Sequence, residues 1–125
     1  MCEVGQVGQA QHPPLQQLGE RLVELLVCLD GSARGIFLAL VRGSNEPQIQ
    51  QRLQATHEQV LVRPLRGLIS GPDSDVRARL AAALAAGLLH TLWVARDEAL
   101  LRTDRAEPIS RYGALLQAVL IPADT

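Results

Sequence analysis

A stretch of 16 residues, from Leu80 to Ala95, contains no charged side chain, and it constrains the fold more than any other part of the sequence. In a helix, apolar side chains from this stretch would point to every side, so no face of it could lie wholly in water. The stretch is shorter than the roughly 18 to 20 residues needed to cross a bilayer, it contains His90, and Arg79 and Arg96 flank it. We therefore predict a helix that is buried by protein and not by lipid.

Two apolar stripes share this central helix, which we expect to run from Asp73 to Leu101. One stripe consists of large residues, namely Leu80, Leu84, Leu88 and Leu92. The other consists mostly of small residues, namely Ala78, Ala82, Ala85, Ala86, Leu89 and Trp93. A domain of this size has one core, which can cover one stripe, and small residues allow another backbone to approach closely. We therefore expect the second stripe to pack against a second copy of the chain.

Composition indicates a single helical domain. Hydrophobic residues make up 47% of the 125 residues but aromatic residues only 2%, so the interior must consist mainly of Leu, Ala and Val, of which the first two favour helix. The net charge of -1 is spread without basic blocks, which argues against nucleic-acid binding by this chain alone. No secretory signal opens the sequence, so we expect a cytoplasmic protein in which Cys2 and Cys28 are reduced.

Prolines, glycines and capping residues divide the rest of the chain into helices. Residues 1–12 are rich in Gln and Gly without periodicity, and we expect a disordered lead-in there, followed by one domain at 13–123. Besides the central helix we expect four others, at about residues 13–29, 32–42, 45–69 and 108–121. Pro64 removes a backbone hydrogen bond from the third of these, which predicts a kink near Val60 to Arg63. The sequence thus predicts an all-α, five-helix bundle.

The last two helices both carry more apolar surface than one core can cover. We therefore expect them to form a four-helix dimer interface with a second copy of the chain. In the final helix one stripe at helical spacing is formed by Ile109, Tyr112, Gly113, Leu116, Val119 and Leu120. The residues that we expect at this homodimer interface are Ala82, Ala86, Leu89, Trp93, Ile109, Tyr112, Leu116 and Val119.

Four features follow one another between Gly71 and Leu120: a Gly-Pro-Asp turn, an Ala/Leu-rich helix with a late aromatic residue, a short polar turn, and a last helix with a leucine-rich stripe. In this order they resemble the C-terminal regulatory domain of TetR-family (tetracycline-repressor-like) transcriptional regulators. The segment reads GPDSDVRARLAAALAAGLLHTLWVARDEALLRTDRAEPISRYGALLQAVL. The preceding helices, with an internal Pro before the Gly-Pro-Asp turn, are similar to that family as well, so the resemblance extends over most of the chain.

The resemblance implies a domain that dimerises through its last two helices and holds a small-molecule inducer among the others. Members of the family carry an N-terminal helix-turn-helix domain, whereas only a short tail precedes Pro13, so we expect DNA to be reached only through a helix-turn-helix domain absent from this chain. We therefore expect the sensing and dimerisation half of such a regulator. The alternative is a stand-alone helical module that heterodimerises with a full-length regulator and modulates it.

For the inducer, an apolar small molecule, we expect an apolar cavity with a few polar groups, the usual composition of a ligand pocket. The candidate residues are Phe37, Thr56, His57, Arg63, His90 and Trp93. The ordinary alternative is that His90 is a core or interface histidine and that Trp93 only packs, because cores usually leave no void.

Catalysis, cofactors and metals are not expected. The two Cys and three His are scattered, with neither CxxC nor HExxH spacing for a metal. The sequence has no G-x-S-x-G elbow and no glycine-rich phosphate loop after a strand. His90 and Asp97 would lie roughly 10 Å apart along one helix, too far for a catalytic dyad. The sequence therefore predicts a protein that is not an enzyme.

Overall fold

The computed structural model describes residues 15–29 and 31–122, and the regular structure within these ranges is helical throughout. A 3-10 turn at Leu15–Gln17 precedes the first helix. The further elements are α1 (Leu18–Val27), α2 (Gly31–Arg42), α3 (Pro47–Thr56), a π-helical segment π1 (His57–Val62), α4 (Arg63–Leu68), α5 (Ser74–Leu89), a second π-helical segment π2 (His90–Val94), α6 (Glu98–Arg102) and α7 (Ala106–Leu120). The all-α class is confirmed, while the expected lead-in at 1–12 lies outside the described residues. No helix in the described ranges is long and apolar enough to span a membrane.

Helix α5 lies at the centre of the hydrophobic core, because its alanines let neighbouring helices approach closely. Its buried residues are Ala78, Ala81, Ala82, Ala85, Leu88 and Leu89. The surrounding elements contribute Leu18, Val23, Leu26, Val62, Leu65, Leu116 and Leu120. The buried side of α5 includes Ala78, Ala82, Ala85 and Leu89 from the stripe of small residues, and only Leu88 from the stripe of large ones. Leu80, from the stripe of large residues, is 54% exposed, whereas Ala82, from the stripe of small ones, is fully buried.

Helices α1 and α7 pack closely because a glycine of each lies at their crossing. A Cβ atom on Gly19 would overlap the carbonyl oxygen of Gly113, and one on Gly113 would lie 2.8 Å from the Cα of Glu20. The Gln117 side chain ties the same crossing together. Its Oε1 accepts a hydrogen bond from the Gly19 N–H at 2.8 Å, and its Nε2 donates to the Leu15 carbonyl at 2.7 Å. The α7 stripe therefore packs inward, onto α1 and α5.

The sequence predicts a kink or break near Val60 to Arg63, and the α-helical pattern is interrupted in this region by the π-helical segment π1. Proline has no N–H to donate to the carbonyl of Val60, so the α-helical hydrogen-bond ladder cannot continue through this position. The Arg63 N–H instead donates to the carbonyl of Glu58, five residues back, and α4 follows with helical dihedral angles.

The central helix ends before Leu101, which corrects the expectation of one helix over 73–101. The Ala95 N–H donates to the carbonyl of His90 at 2.9 Å, and the Asp97 N–H donates to that of Thr91 at 3.1 Å. These wide turns replace the α-helical ladder and end the rod at π2. The described ranges therefore hold six helical rods, one more than the five predicted.

A new helix, α6, starts immediately after this break. Arg96 has a φ of 51°, in the left-handed region, which turns the chain away from the axis of α5. The Asp97 carboxylate then accepts a hydrogen bond from the Leu100 N–H at 3.0 Å and caps α6. The Asp97 carboxylate thus satisfies an N–H group that has no partner at the start of α6. Inside a continuous helix the N–H groups are already paired, so an Asp there could not have this role.

The cysteine expectation is contradicted. Cys28, which follows the last residue of α1, is disulfide-bonded and not reduced. Cys2 lies outside the described residues. Cysteine chemistry therefore lends no support to the expected cytoplasmic location.

Four charged side chains connect α4, π1 and α5 at the surface. The Arg79 guanidinium binds both carboxylate oxygens of Glu58, at 2.9 and 3.0 Å, and donates to Asp75 at 3.0 Å. Asp75 also accepts from Arg66 at 2.8 Å. These hydrogen bonds, from Arg79 above all, hold the pKa of the Glu58 carboxyl and that of the Asp75 carboxyl below their usual values.

Replacing Arg79 with Gln should lower the melting temperature at pH 7, and the difference from wild type should shrink as the pH falls below about 4. Both carboxyls have a lower pKa in the folded state, so their contribution is present above the unfolded-state value and is lost on acidification through the folded-state one. Thermal unfolding followed by circular dichroism between pH 2 and pH 7 measures this. Arg52→Gln, on an exposed arginine of α3, is the control and should change little. A deficit for Arg79→Gln that is the same at every pH would contradict the role of this cluster.

Candidate functional site

Two of the residues predicted to bind ligand contact each other. Phe37 on α2 and Trp93 on π2 have ring centroids 5.3 Å apart with an interplanar angle of 73°, an edge-to-face arrangement. Both side chains pack against the hydrophobic core from outside. The aromatic pair therefore connects α2 to π2, the segment that ends the central helix.

The other four predicted ligand residues do not join this pair in one cavity. Thr56 and His57 are half-buried where α3 meets π1, while Arg63 and His90 are exposed. None of the four lines the depression beside Trp93 or the groove between α5, α6 and α7, both of which are described below. His57 and His90 do share one feature that the sequence patterns did not reveal, since each is the first residue of a π-helical segment. The predicted ligand set is therefore divided between separate parts of the molecule.

A depression of about 370 Å³ lies between α2 and the end of π2, beside Trp93. One face of α2 supplies four lining residues, spaced at i, i+4, i+7 and i+8. The complete lining is Arg34, Leu38, Val41, Arg42, Trp93, Val94 and Arg96. We call it the arginine depression, because arginines form its rim around an apolar floor.

Within the described residues, no ion pair neutralises the arginines of the arginine depression. Arg34, Arg42 and Arg96 form no ion pair with any residue that the structure describes, and the described lining contains no acidic side chain. By contrast, Arg66 and Arg79 are each held by carboxylates. Clustered charges of one sign over a low-dielectric floor raise the local concentration of counter-ions. The arrangement can bind an anionic group next to an apolar one.

A second candidate surface is the outer side of α5, which is apolar yet exposed. Val76 and Leu80 are 57% and 54% exposed, and Ala83 and Gly87 continue the same stripe along the helix. Leu115 on α7 is 55% exposed. We call these five residues the outer face. Contiguous apolar surface of this kind usually marks a contact with another molecule.

The outer face spans two helices because α5 and α7 run antiparallel and in contact. The Tyr112 hydroxyl donates to the carbonyl of Leu84, and near the other end of α7 the Arg77 guanidinium donates to the carbonyl of Leu120. Burial raises the pKa of the Tyr112 phenol, so it stays a hydrogen-bond donor through the neutral range. These two contacts hold Leu115 next to the exposed stripe of α5.

A groove of about 650 Å³ follows the junction of α5, α6 and α7 and borders the outer face. Its lining is Gly87, Leu88, Thr91, Leu100, Thr103, Glu107, Pro108, Arg111, Tyr112 and Leu115. The groove is open, and the small Gly87 forms part of its floor, so the backbone of α5 is accessible there. It could receive side chains of a helix that packs on the outer face.

Part of the predicted dimer interface is buried inside the protomer. Ala82, Leu89 and Leu116 are at most 5% exposed, and they belong to the hydrophobic core. Trp93 is half-buried against Phe37. The remaining predicted interface residues are half-buried, namely Ala86, Ile109, Tyr112 and Val119. The accessible surface of α5 is the outer face, on a different side of the helix from the predicted residues.

The arginine depression was missed because its residues come from two segments that are distant in the sequence. Arg34, Leu38 and Arg42 lie at i, i+4 and i+8 on one helical face, and this spacing was the available signal. Their convergence with Arg96 depends on how α2 packs against π2. Local patterns contain no information about that packing.

A comparison with protein families adds an independent observation. Residues 16–120 match a family model described as Tetracyclin repressor-like, C-terminal domain. No curated protein and no solved structure matches the chain. The family match covers every helix of the fold described above.

Proposed function

The chain belongs to the tetracyclin repressor-like C-terminal domain family, and on this premise we propose that it is the part of a transcriptional regulator that senses a small molecule and joins two copies of the chain. Such domains have a general ligand-sensing and dimerisation role in regulators, which are not enzymes. We accordingly propose no catalytic step and no cofactor. DNA would be contacted by a helix-turn-helix domain and not by the helices described here. A regulator of this kind would work in the cytoplasm, next to the DNA.

The outer face is the observation that carries the dimerisation proposal. Burying one exposed Leu or Val side chain contributes roughly 1.5 to 3 kcal/mol at most, before the costs of association. In a two-fold dimer each such contact occurs twice, because the same surface is used by both partners. Ala83 and Gly87 continue the stripe beyond Val76 and Leu80, and their small size would let the partner helix approach closely. We propose that α5 and α7 of two chains form a four-helix interface through this face.

The sensing role is supported by the position of the arginine depression on the same rod. Trp93 and Val94 line the depression from π2, and π2 continues α5 without a change in backbone conformation at His90. If π2 has two positions, a ligand that binds one of them more tightly would favour that position. It would thereby shift α5, and with α5 the outer face. This gives a direct physical connection between ligand binding and the relative placement of two protomers.

We expect sedimentation equilibrium at micromolar concentration to give about twice the 13.5 kDa mass of the chain. The exposed apolar surface of α5 and α7 supplies the reason, since a monomer would leave it in water. A monomer at every concentration tested would contradict the homodimer. If such a monomer then formed a mixed dimer with a full-length regulator of the family, the alternative of a modulating module would stand in its place.

A further inference from the structure

We propose that the arginine depression binds an organic carboxylate, with the carboxylate among Arg34, Arg42 and Arg96 and the apolar body against Trp93. This inference rests on the proposed function, because it names the ligand class of the sensing domain. It also goes beyond that function, since the general role of the family specifies no ligand chemistry. An amphipathic anion replaces the purely apolar inducer that the sequence predicts.

The distribution of unpaired arginines supports an anionic ligand. Five arginines form no ion pair with any described residue, and three of them line this one depression. The other two are Arg52 and Arg63, which line neither depression. Three like charges around one concave surface repel each other, and a bound carboxylate would reduce that repulsion while accepting charge-assisted hydrogen bonds.

The floor of the depression supports an apolar body on the same molecule. Leu38, Val41 and Val94 line the depression together with Trp93, whose ring is in edge-to-face contact with Phe37. A small inorganic anion would leave this floor in water, whereas a neutral apolar molecule would desolvate the arginines without pairing them. The volume of about 370 Å³ is within the usual range for sites that hold a small organic molecule.

The turn that ends π2 brings Arg96 to the arginine depression. Its φ of 51° is a conformation that residues other than glycine seldom adopt, and it persists because the Asp97 N–H donates to the Thr91 carbonyl at 3.1 Å. A left-handed residue is common where a helix ends, and here that turn also determines the position of the Arg96 side chain. From this conformation Arg96 lines the depression opposite the arginines of α2.

The test uses Trp93 as the reporter, because it is the only tryptophan in the chain. Sodium decanoate and 1-decanol, which have the same alkyl chain with and without a charge, are titrated below micelle-forming concentrations while tryptophan emission is recorded. We expect decanoate to shift the emission and to bind at least about tenfold more tightly than decanol, with an affinity that falls as salt is added. Arg34→Gln and Arg96→Gln should each weaken decanoate binding about three- to tenfold and leave decanol unchanged.

Arg52→Gln is the matched control, because Arg52 is also exposed and unpaired in the described residues but lies on α3. Equal losses for Arg52→Gln and Arg34→Gln would overturn the assignment of the site. Equal affinities for decanoate and decanol would overturn the anionic ligand class while leaving small-molecule sensing intact. If neither probe changes the emission of the folded protein, the inference fails, whereas the dimerisation proposal is decided separately by sedimentation.

Discussion

Gly19→Ala should destabilise the protein by about 3 kcal/mol, the largest loss that we expect from adding a single methyl group. The new Cβ would overlap the carbonyl oxygen of Gly113 and lie 2.7 Å from the backbone nitrogen of Gln117, so only a separation of α1 and α7 could relieve the clash. Separation would also lengthen the hydrogen bond from the Gly19 N–H to Gln117. Because small domains are stable by only about 5 to 15 kcal/mol, such a loss is easily measured by urea unfolding.

Two further glycines provide matched controls for Gly19→Ala. A Cβ atom on Gly35 in α2 or on Gly67 in α4 would have no heavy atom of another element within 4 Å, so Ala can be accommodated at both positions. Each substitution should stabilise the protein by about 0.5 to 1 kcal/mol, since Ala loses less backbone entropy in a helix. If Gly19→Ala behaved like these two, the close crossing of α1 and α7 would be disproved. Gly113→Ala tests the other side of the same contact and should resemble Gly19→Ala.

Leu115→Glu should convert the proposed homodimer into a monomer at micromolar concentration, with a dissociation constant at least about 100-fold higher. The side chain is 55% exposed in the protomer, so the substitution leaves the core unchanged while it removes apolar surface from the outer face. In a two-fold interface both chains carry the change, which buries two carboxylates near each other without a partner. Sedimentation velocity over a concentration series measures the shift, and circular dichroism confirms that the protomer stays folded.

Ile36→Glu is the control for Leu115→Glu, because Ile36 is an exposed apolar residue of similar size on α2, away from the outer face. Its exposed fraction is 59%, so the cost of introducing the charge into the protomer should be similar. We expect this variant to remain dimeric. Loss of the dimer in Ile36→Glu, or its retention in Leu115→Glu, would show that α5 and α7 do not form the interface.

Features with a local chemical cause were correctly predicted from the sequence. The helix interruption before Pro64 follows from the missing N–H of that residue, and it occurs where expected. The last helix has the predicted apolar stripe, and Leu116 and Leu120 on this stripe are fully buried. The break at Asp97 was missed, although its chemistry is local as well. An Asp that follows an apolar run can cap a new helix, and its carboxylate does so here.

The sides of the central helix could not be assigned in the same way. A helix with apolar residues on every side contains no polar face to mark the outside, so periodicity alone does not decide which residues are buried. The packing of α1 against α7 through Gly19 and Gly113, and of π1 against α5, selects Ala82 for the core and leaves Leu80 exposed. Ala82 and Leu89 were predicted at the dimer interface, but both are buried in the core of their own protomer. A side chain buried in its own protomer cannot also face a second copy.

The amino-acid sequence by itself determined the all-α class, the turns, the interruption at Pro64 and the family, because each depends on neighbouring residues or on their order along the chain. Tertiary structure alone decided which side of α5 is exposed and brought Arg34 and Arg42 together with Arg96. The physical reason is that both outcomes depend on contacts between distant segments, in which burial of one surface requires exposure of another. A sequence pattern states which surfaces are apolar, and packing decides which of them remain in water.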